Sequence, residues 1–255
     1  MSGASATNVQ LCGRFVVELD GRRVDDDFPG AKGRLLFAYL VLERARRIPR
    51  EELLTAVYGD DASADQYPRL SVLLSKLRAV VGAELLSGRS EIELVLPRDA
   101  FVDVEAAIEA LHRAESHVAA GAWAEAWGPA GVAYHVAGRP LLQGLDAPWL
   151  DAWRRRLDDI RIRGLECLGV ARLELGAPTL AQAEECGRRL VELSPYRETG
   201  YRILMEALER RGNVAEALLV YDRLRVLLRE ELGIAPGPAL QALHRRLLAG
   251  ETTSV

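Results

Sequence analysis

The chain is short of the side chains that carry chemistry. Its three cysteines, Cys12, Cys167 and Cys186, are scattered and odd in number. Each is expected to pack as a small hydrophobe in a reduced interior, and a Cys167–Cys186 disulfide has no spacing motif behind it. Among the four histidines, His112 and His117 stand five apart and so face apart on a helix, while His135 and His244 are isolated. No metal site is expected from them. The sequence has no Walker-type phosphate loop and no Rossmann fingerprint, and the "GAKG" at Gly30 is too short for either, so no cofactor is expected. The neighbouring carboxylates Asp158-Asp159 and Glu184-Glu185 diverge around a helix. These absences speak against an enzyme.

Two further things are missing. No apolar run approaches the roughly 20 residues that span a bilayer, and the opening "MSGASATN" has no charged start followed by an apolar core. A cytoplasmic protein with no membrane contact is expected. Nor is there a basic excess: the net charge is −4, and residues 1–98 hold 14 Lys and Arg against 14 Asp and Glu. That excludes a protein coated in positive charge. A local DNA-binding face survives, because it needs only a few well-placed cations, provided the acidic loops at Asp25–Asp27 and Asp60-Asp61 lie away from it.

What the sequence does have is helical periodicity. From Ser194 to Pro236, "SPYRETGYRILMEALERRGNVAEALLVYDRLRVLLREELGIAP" reads as two amphipathic helices that turn at Gly212-Asn213 and stop at Gly233. At a lag of 34 residues Ala183 matches Ala217, Arg189 matches Arg223, Leu190 matches Leu224 and Leu193 matches Leu227. That lag is the tetratricopeptide period, and repeated helix hairpins build scaffolds for binding. Small alanines are expected to let paired helices approach. Upstream, helices are expected over about Val104–Ala120 and Trp149–Leu175. Trp123, Trp127, Trp149 and Trp153 either pack helix junctions or line a concave groove. Arg154, Arg155, Arg156, Arg161 and Arg163 read mainly as a solvated face paired with Asp158, Asp159 and Glu166, with residual positive charge open to an anionic partner.

The first third reads differently. Val9, Leu11, Phe15, Val17 and Leu19 alternate, which predicts one half-buried strand, reversed at Asp20-Gly21. A solvated "DDDFPG" loop follows. Three helices come next: one after Gly30, one from about Pro49 to Gly59, and one opened by Pro68 and ended by Gly82. The turn Ser87–Ser90 and a strand through Ile92, Leu94 and Leu96 close the segment. Strands, three helices and a terminal hairpin are the order of a winged helix, whose third helix enters the major groove. On periodicity alone, Arg69, Lys76 and Arg78 also fit the wet side of an ordinary surface helix.

The segments "LCGRFVVELDGRRV", "AKGRLLFAYLVLERARRIPREELLTAVYG" and "LSKLRAVVG" resemble the OmpR-type winged helix of the Streptomyces antibiotic regulatory protein (SARP) family. "SPYRETGYRILMEAL" and "LREELGIAPGPAL" resemble that family's bacterial transcriptional activator domain. The resemblance runs from about Val9 to Leu248. It implies a mainly α fold with a small β component: a winged helix-turn-helix over residues 1–98 and a tetratricopeptide-like helical domain over 99–250. It further implies a transcriptional activator that binds repeats in double-stranded promoter DNA as an oligomer, most simply a homodimer, and contacts RNA polymerase.

Ser75-Lys76-Leu77-Arg78 fits the family's Ser-Arg-Leu-Arg pattern with Lys in place of the first Arg, and Lys lacks the bidentate fork that grips guanine. Tyr58 stands where a phosphate-contacting Trp is common, Arg50 matches a backbone-contacting position, and Ser90-Glu91-Ile92 replaces the wing's Gly-Tyr pair. The base-reading set is therefore Arg69, Ser75, Lys76 and Arg78, and the phosphate set Lys32, Arg34, Arg50, Tyr58 and Arg89. The sequence lacks the ATPase and phosphopeptide-reading segments of longer members. Control is then expected from abundance, oligomerisation or a small-molecule effector in the helical domain. The neutral first third, Glu91 and the tryptophans leave a second reading open, a helical module for a protein or ligand whose winged helix no longer reads DNA.

Overall fold

The computed structural model describes residues 7–59 and 66–250; the first six residues and the loop read at Asp60-Asp61 lie outside them. The fold is mainly α with a small β component. Two compact units divide the chain, one comprising Met1–Ala106 with Val136–Asp158 and the other Ala107–His135 with Asp159–Val255. The first unit thus takes in a later stretch of chain beyond the single cut near Pro97.

In the first unit the strand expected over Val9–Leu19 is two strands. Gly13, at φ 83°, lies where the chain turns between β1 (Asn8–Gln10) and β2 (Val16–Leu19). These pair antiparallel with Val9 opposite Val17. The odd-numbered residues of both strands therefore keep one face, and Val9, Leu11, Val17 and Leu19 are all buried. Alternation survives the turn, which is why it reads as unbroken. Asp20 (φ 50°) and Gly21 (φ 74°) make the reversal to β3 (Arg22–Arg23), both in the left-handed region that a tight hairpin turn requires. The acidic loop is only partly solvated: Asp25 is buried, with both carboxylate oxygens held by the Arg23 guanidinium at 3.0 and 2.7 Å.

Helices α1 (Gly30–Leu42), α2 (Arg50–Tyr58) and α3 (Tyr67–Val81) form the trihelical centre around Leu36, Leu40, Leu53, Leu70, Leu74 and Leu77. Ile48–Pro49, at the expected start of the second helix, is instead a strand, β4, that pairs with β6 (Glu91–Leu94); β5 (Leu86–Ser87) flanks β6 on the other side. Strand β7 (Phe101–Val102) runs parallel to β1 and leads into α4 (Asp103–Ala119). Buried Asp103 accepts the N–H groups of Leu11, Cys12 and Val104 at 2.8–3.0 Å. The late segment is tied in by backbone bonds from Gly13 N–H to Pro140 and from Leu142 N–H to Leu11.

The second unit is helical. Besides most of α4, it contains most of α5 (Trp123–Ala137) and the C-terminal part of α6 (Pro148–Glu174). It continues through α7 (Leu180–Leu193), α8 (Glu198–Arg210), α9 (Val214–Leu232) and α10 (Pro238–Ala249). The 34-residue lag maps α7 onto α9. Ala183, Ala217, Leu190 and Leu224 are buried while Arg189 and Arg223 stay outside. The closest approach of α7 and α8 rests on glycine rather than alanine: a Cβ on Gly187 would lie 2.7 Å from the Leu204 nitrogen, and one on Gly200 2.7 Å from the Leu190 Cβ. Gly233 ends α9 in the left-handed conformation, as its place in the sequence predicts. Among the described residues no helix is long and apolar enough to cross a membrane.

Candidate nucleic-acid interface

Helix α3 buries Leu70, Leu73, Leu74, Leu77 and Val81 on one side and exposes Arg69, Val72, Ser75, Lys76 and Ala79 on the other. The 3.6-residue period alone sets this division. Arg69, Ser75 and Lys76 thus share the solvent-facing side of one helix.

Arg78 is placed differently. Half-buried, it donates from Nε to the Leu86 carbonyl at 3.1 Å and from Nη2 to the Gly88 carbonyl at 2.6 Å. Arg50 works from the other side of the same loop. Its backbone N–H donates to the Ser90 carbonyl at 3.2 Å, its Nη1 to the Arg89 carbonyl at 3.2 Å, and its Nη2 to the Ser71 hydroxyl oxygen. Two guanidiniums assigned to DNA from the sequence are thereby engaged by the wing turn. Ser71 was not legible as a site residue, since a serine on a helix surface gives no signal of its partner.

Lys32 Nζ lies 3.9 Å over the ring of Tyr58. Burial raises the Tyr58 hydroxyl pKa above its ordinary value, and the nearby Arg69 charge opposes that shift. Lys32, Tyr58 and Arg69 therefore form one cationic corner. Arg34, two residues from Lys32, points to the opposite side of α1. Its guanidinium lies 5.5 Å from the Phe15 ring and borders a depression of about 410 Å³ shared with Arg14, Asp25 and Asp26. The structure does not bring Arg34 to the others. Arg89 and Glu91 are both exposed on the wing.

The turn into α2 has its own brace. The Glu52 carboxylate accepts from the Tyr39 hydroxyl and from Arg46 Nη1, the latter at 2.9 Å. The Arg46 guanidinium holds Glu52 below the usual carboxylate range, and burial pushes the Tyr39 phenol up. The Trp149 ring packs edge-on against Tyr39 at 5.1 Å, and its indole N–H donates to the Ala56 carbonyl at 3.0 Å. Trp149 and Trp153 belong to the first unit and Trp123 and Trp127 to the second. Among the described residues no group of His, Cys, Asp and Glu is arranged to hold a metal. The assembled features offer hydrogen bonds and positive charge, the means of contact.

The family model of the bacterial transcriptional activator domain matches residues 102–248, more than half of the chain. The chain belongs to that family. It is similar to regulatory protein AfsR of Streptomyces griseus, 30% identical over 228 residues. The transcriptional regulatory protein EmbR of Mycobacterium tuberculosis is 29% identical over 253 residues. This chain spans 22% of that AfsR and 62% of that EmbR. The solved structure of Mycobacterium tuberculosis EmbR in complex with a low affinity phosphopeptide shares the fold at a TM-score of 0.83 and 22% identity, over 97% of this chain and 66% of that one.

The activator domain brings its two most recognisable sequence stretches together. Glu198, in "SPYRETG", accepts the N–H of Gly237, in "GIAPGPAL", at 2.9 and 3.0 Å. Gln241 closes the same turn by donating to the Pro236 carbonyl at 2.7 Å. Buried Glu209 on α8 is held by Arg246 on α10 at 2.6 Å.

Proposed function

We propose that the chain is a sequence-specific DNA-binding transcriptional activator, working in the cytoplasm as a homodimer on promoter repeats and helping to recruit RNA polymerase. The observation that carries this reading is the outward row of Arg69, Ser75 and Lys76 on a helix whose end is fastened to a wing. The DNA-binding part lies within residues 1–98 and is completed by 136–158; the activator part lies within 99–250. Arg69, Ser75 and Lys76 meet base edges, while Lys32, Tyr58 and Arg89 meet phosphates. Arg50 and Arg78 hold the wing and reach DNA only by exchanging its carbonyls for phosphate or base oxygens. Arg34 stands outside the interface.

Selection of duplexes from a random pool tests this. Enrichment of a repeated motif is expected, with affinity falling steeply as salt rises and lost in Lys76→Ala. No enriched sequence, or unchanged binding by that variant, overturns the assignment. The balanced charge of residues 1–98 and the exposed Glu91 favour a second reading, a binding module without DNA recognition, and a failed selection would select it.

A further inference from the structure

The arginines of α6 are not all alike. Arg163 is engaged by Glu115 and Asp159. Arg161 and Arg172, in contrast, each keep a buried Nε with no hydrogen-bond partner. Arg172 spends one Nη1 on the sulfur of Cys186 at 3.2 Å, a weak acceptor. Buried donors of this strength are ordinarily satisfied, so two on one helix face call for an acceptor.

Their placement describes that acceptor. Arg161, Leu165, Leu168 and Arg172 recur at spacings of four, three and four, which puts them on one face of α6. The two arginines are then about 16 Å apart along the axis, at roughly 1.5 Å per residue. Each guanidinium lies by an aromatic ring of α5: Arg161 is 5.9 Å from Tyr134 and Arg172 is 5.8 Å from Trp127. A depression of about 410 Å³ runs along this face between Tyr134 and Arg172, with Leu165 and Leu168 of α6 on one side and Cys186 and Arg189 of α7 on the other. Trp127 is 43% exposed, an aromatic anchor left open beside it. Glu185 is the one acidic side chain lining this depression.

We infer that this face of the second unit is a docking groove for an acidic amphipathic segment of a partner protein. Two carboxylates of the segment would be taken by Arg161 and Arg172, with apolar side chains between them on Leu165 and Leu168. A protein segment suits this face better than a duplex, because the arginines are accompanied by apolar Leu165 and Leu168 and by the exposed Trp127 ring, which a phosphate backbone would leave unused. The inference is independent of the DNA reading, which concerns the first unit.

The test is a selection of random displayed peptides against the full chain, followed by binding of the recovered peptides, synthesised, to Arg161→Gln, Arg172→Gln and Arg172→Glu. Enrichment of Glu and Asp flanking apolar residues is expected, with affinity reduced at least about tenfold in each variant. Circular dichroism and the unfolding midpoint show that each variant is folded, and Arg172→Gln serves should Arg172→Glu fail. Recovery of no peptide, recovery of neutral peptides, or undiminished binding by the folded variants overturns the proposal. So does a loss of duplex affinity in the same variants, which would reassign the face to nucleic acid. Failure of duplex binding in the unmodified chain bears only on the DNA reading.

Discussion

Arg78 donates to the carbonyl oxygen of Gly88 at 2.6 Å, and through that bond the last turns of α3 carry the wing. Replacing Arg78 with Ala removes two charge-assisted bonds to the wing backbone and is expected to cost about 1 kcal/mol. Amide hydrogen exchange at Ser87–Ser90 should quicken while α1 and α2 stay protected. Arg78→Lys should not restore protection, because an ammonium lacks the fork that reaches the Leu86 and Gly88 carbonyls together. Unchanged exchange in Arg78→Ala would show that the wing does not depend on this contact.

The brace at α2 makes the first unit sensitive to acid. Glu52 has its carboxyl pKa lowered on folding by Arg46, so its contribution is present above the ordinary carboxylate value and lost as pH falls through the depressed one. Glu52→Gln is expected to flatten that part of the stability profile, read from unfolding midpoints across acidic pH. Both partners are partly exposed, so the effect should shrink with added salt.

Gly237 is needed for closeness, not for an unusual backbone, since its φ of −65° suits any residue. A Cβ there would stand 2.8 Å from a Glu198 carboxylate oxygen. Glu198→Ala and Gly237→Ala should each destabilise the second unit by about 1–3 kcal/mol in urea unfolding. Because both act on one contact, the double variant should cost clearly less than the two added. Full additivity would mean the two residues work separately.

How much of this was legible in the sequence depended on whether a feature is set by period or by pairing. Helix faces and stops are local, so α3's buried row, the stops at Gly59, Gly82 and Gly233, and the α7–α9 repeat all follow from spacing. The β1–β2 hairpin was read as one strand because its register preserves parity across Gly13. Strand β4 is two residues long and exists only through its pairing with β6. The fates of Arg34, Arg50 and Arg78 were not legible either. A long side chain on a helix looks the same in sequence whether it meets solvent, an aromatic ring or a carbonyl.

The cysteines supply a further check. All three are free and buried, and burial pushes the Cys167 thiol up to about 11. A thiol reagent at neutral pH should label none of them in the native protein and all three once denaturant unfolds it. Rapid native labelling of Cys186 would show that the α5–α6–α7 groove opens to solvent more than its packing suggests.

The bond from Trp149 to the Ala56 carbonyl spans 93 positions of chain. During synthesis the helices of the winged-helix centre leave the ribosome well before the segment that caps them. In the interval α4 and α5 also emerge, and most of their residues pack in the other unit. The first unit therefore finishes folding only after the second has begun to appear. Closing so long a loop is slow, so a pause between Pro97 and Trp149 would leave the Tyr39 ring and the Ala56 carbonyl without their Trp149 partner.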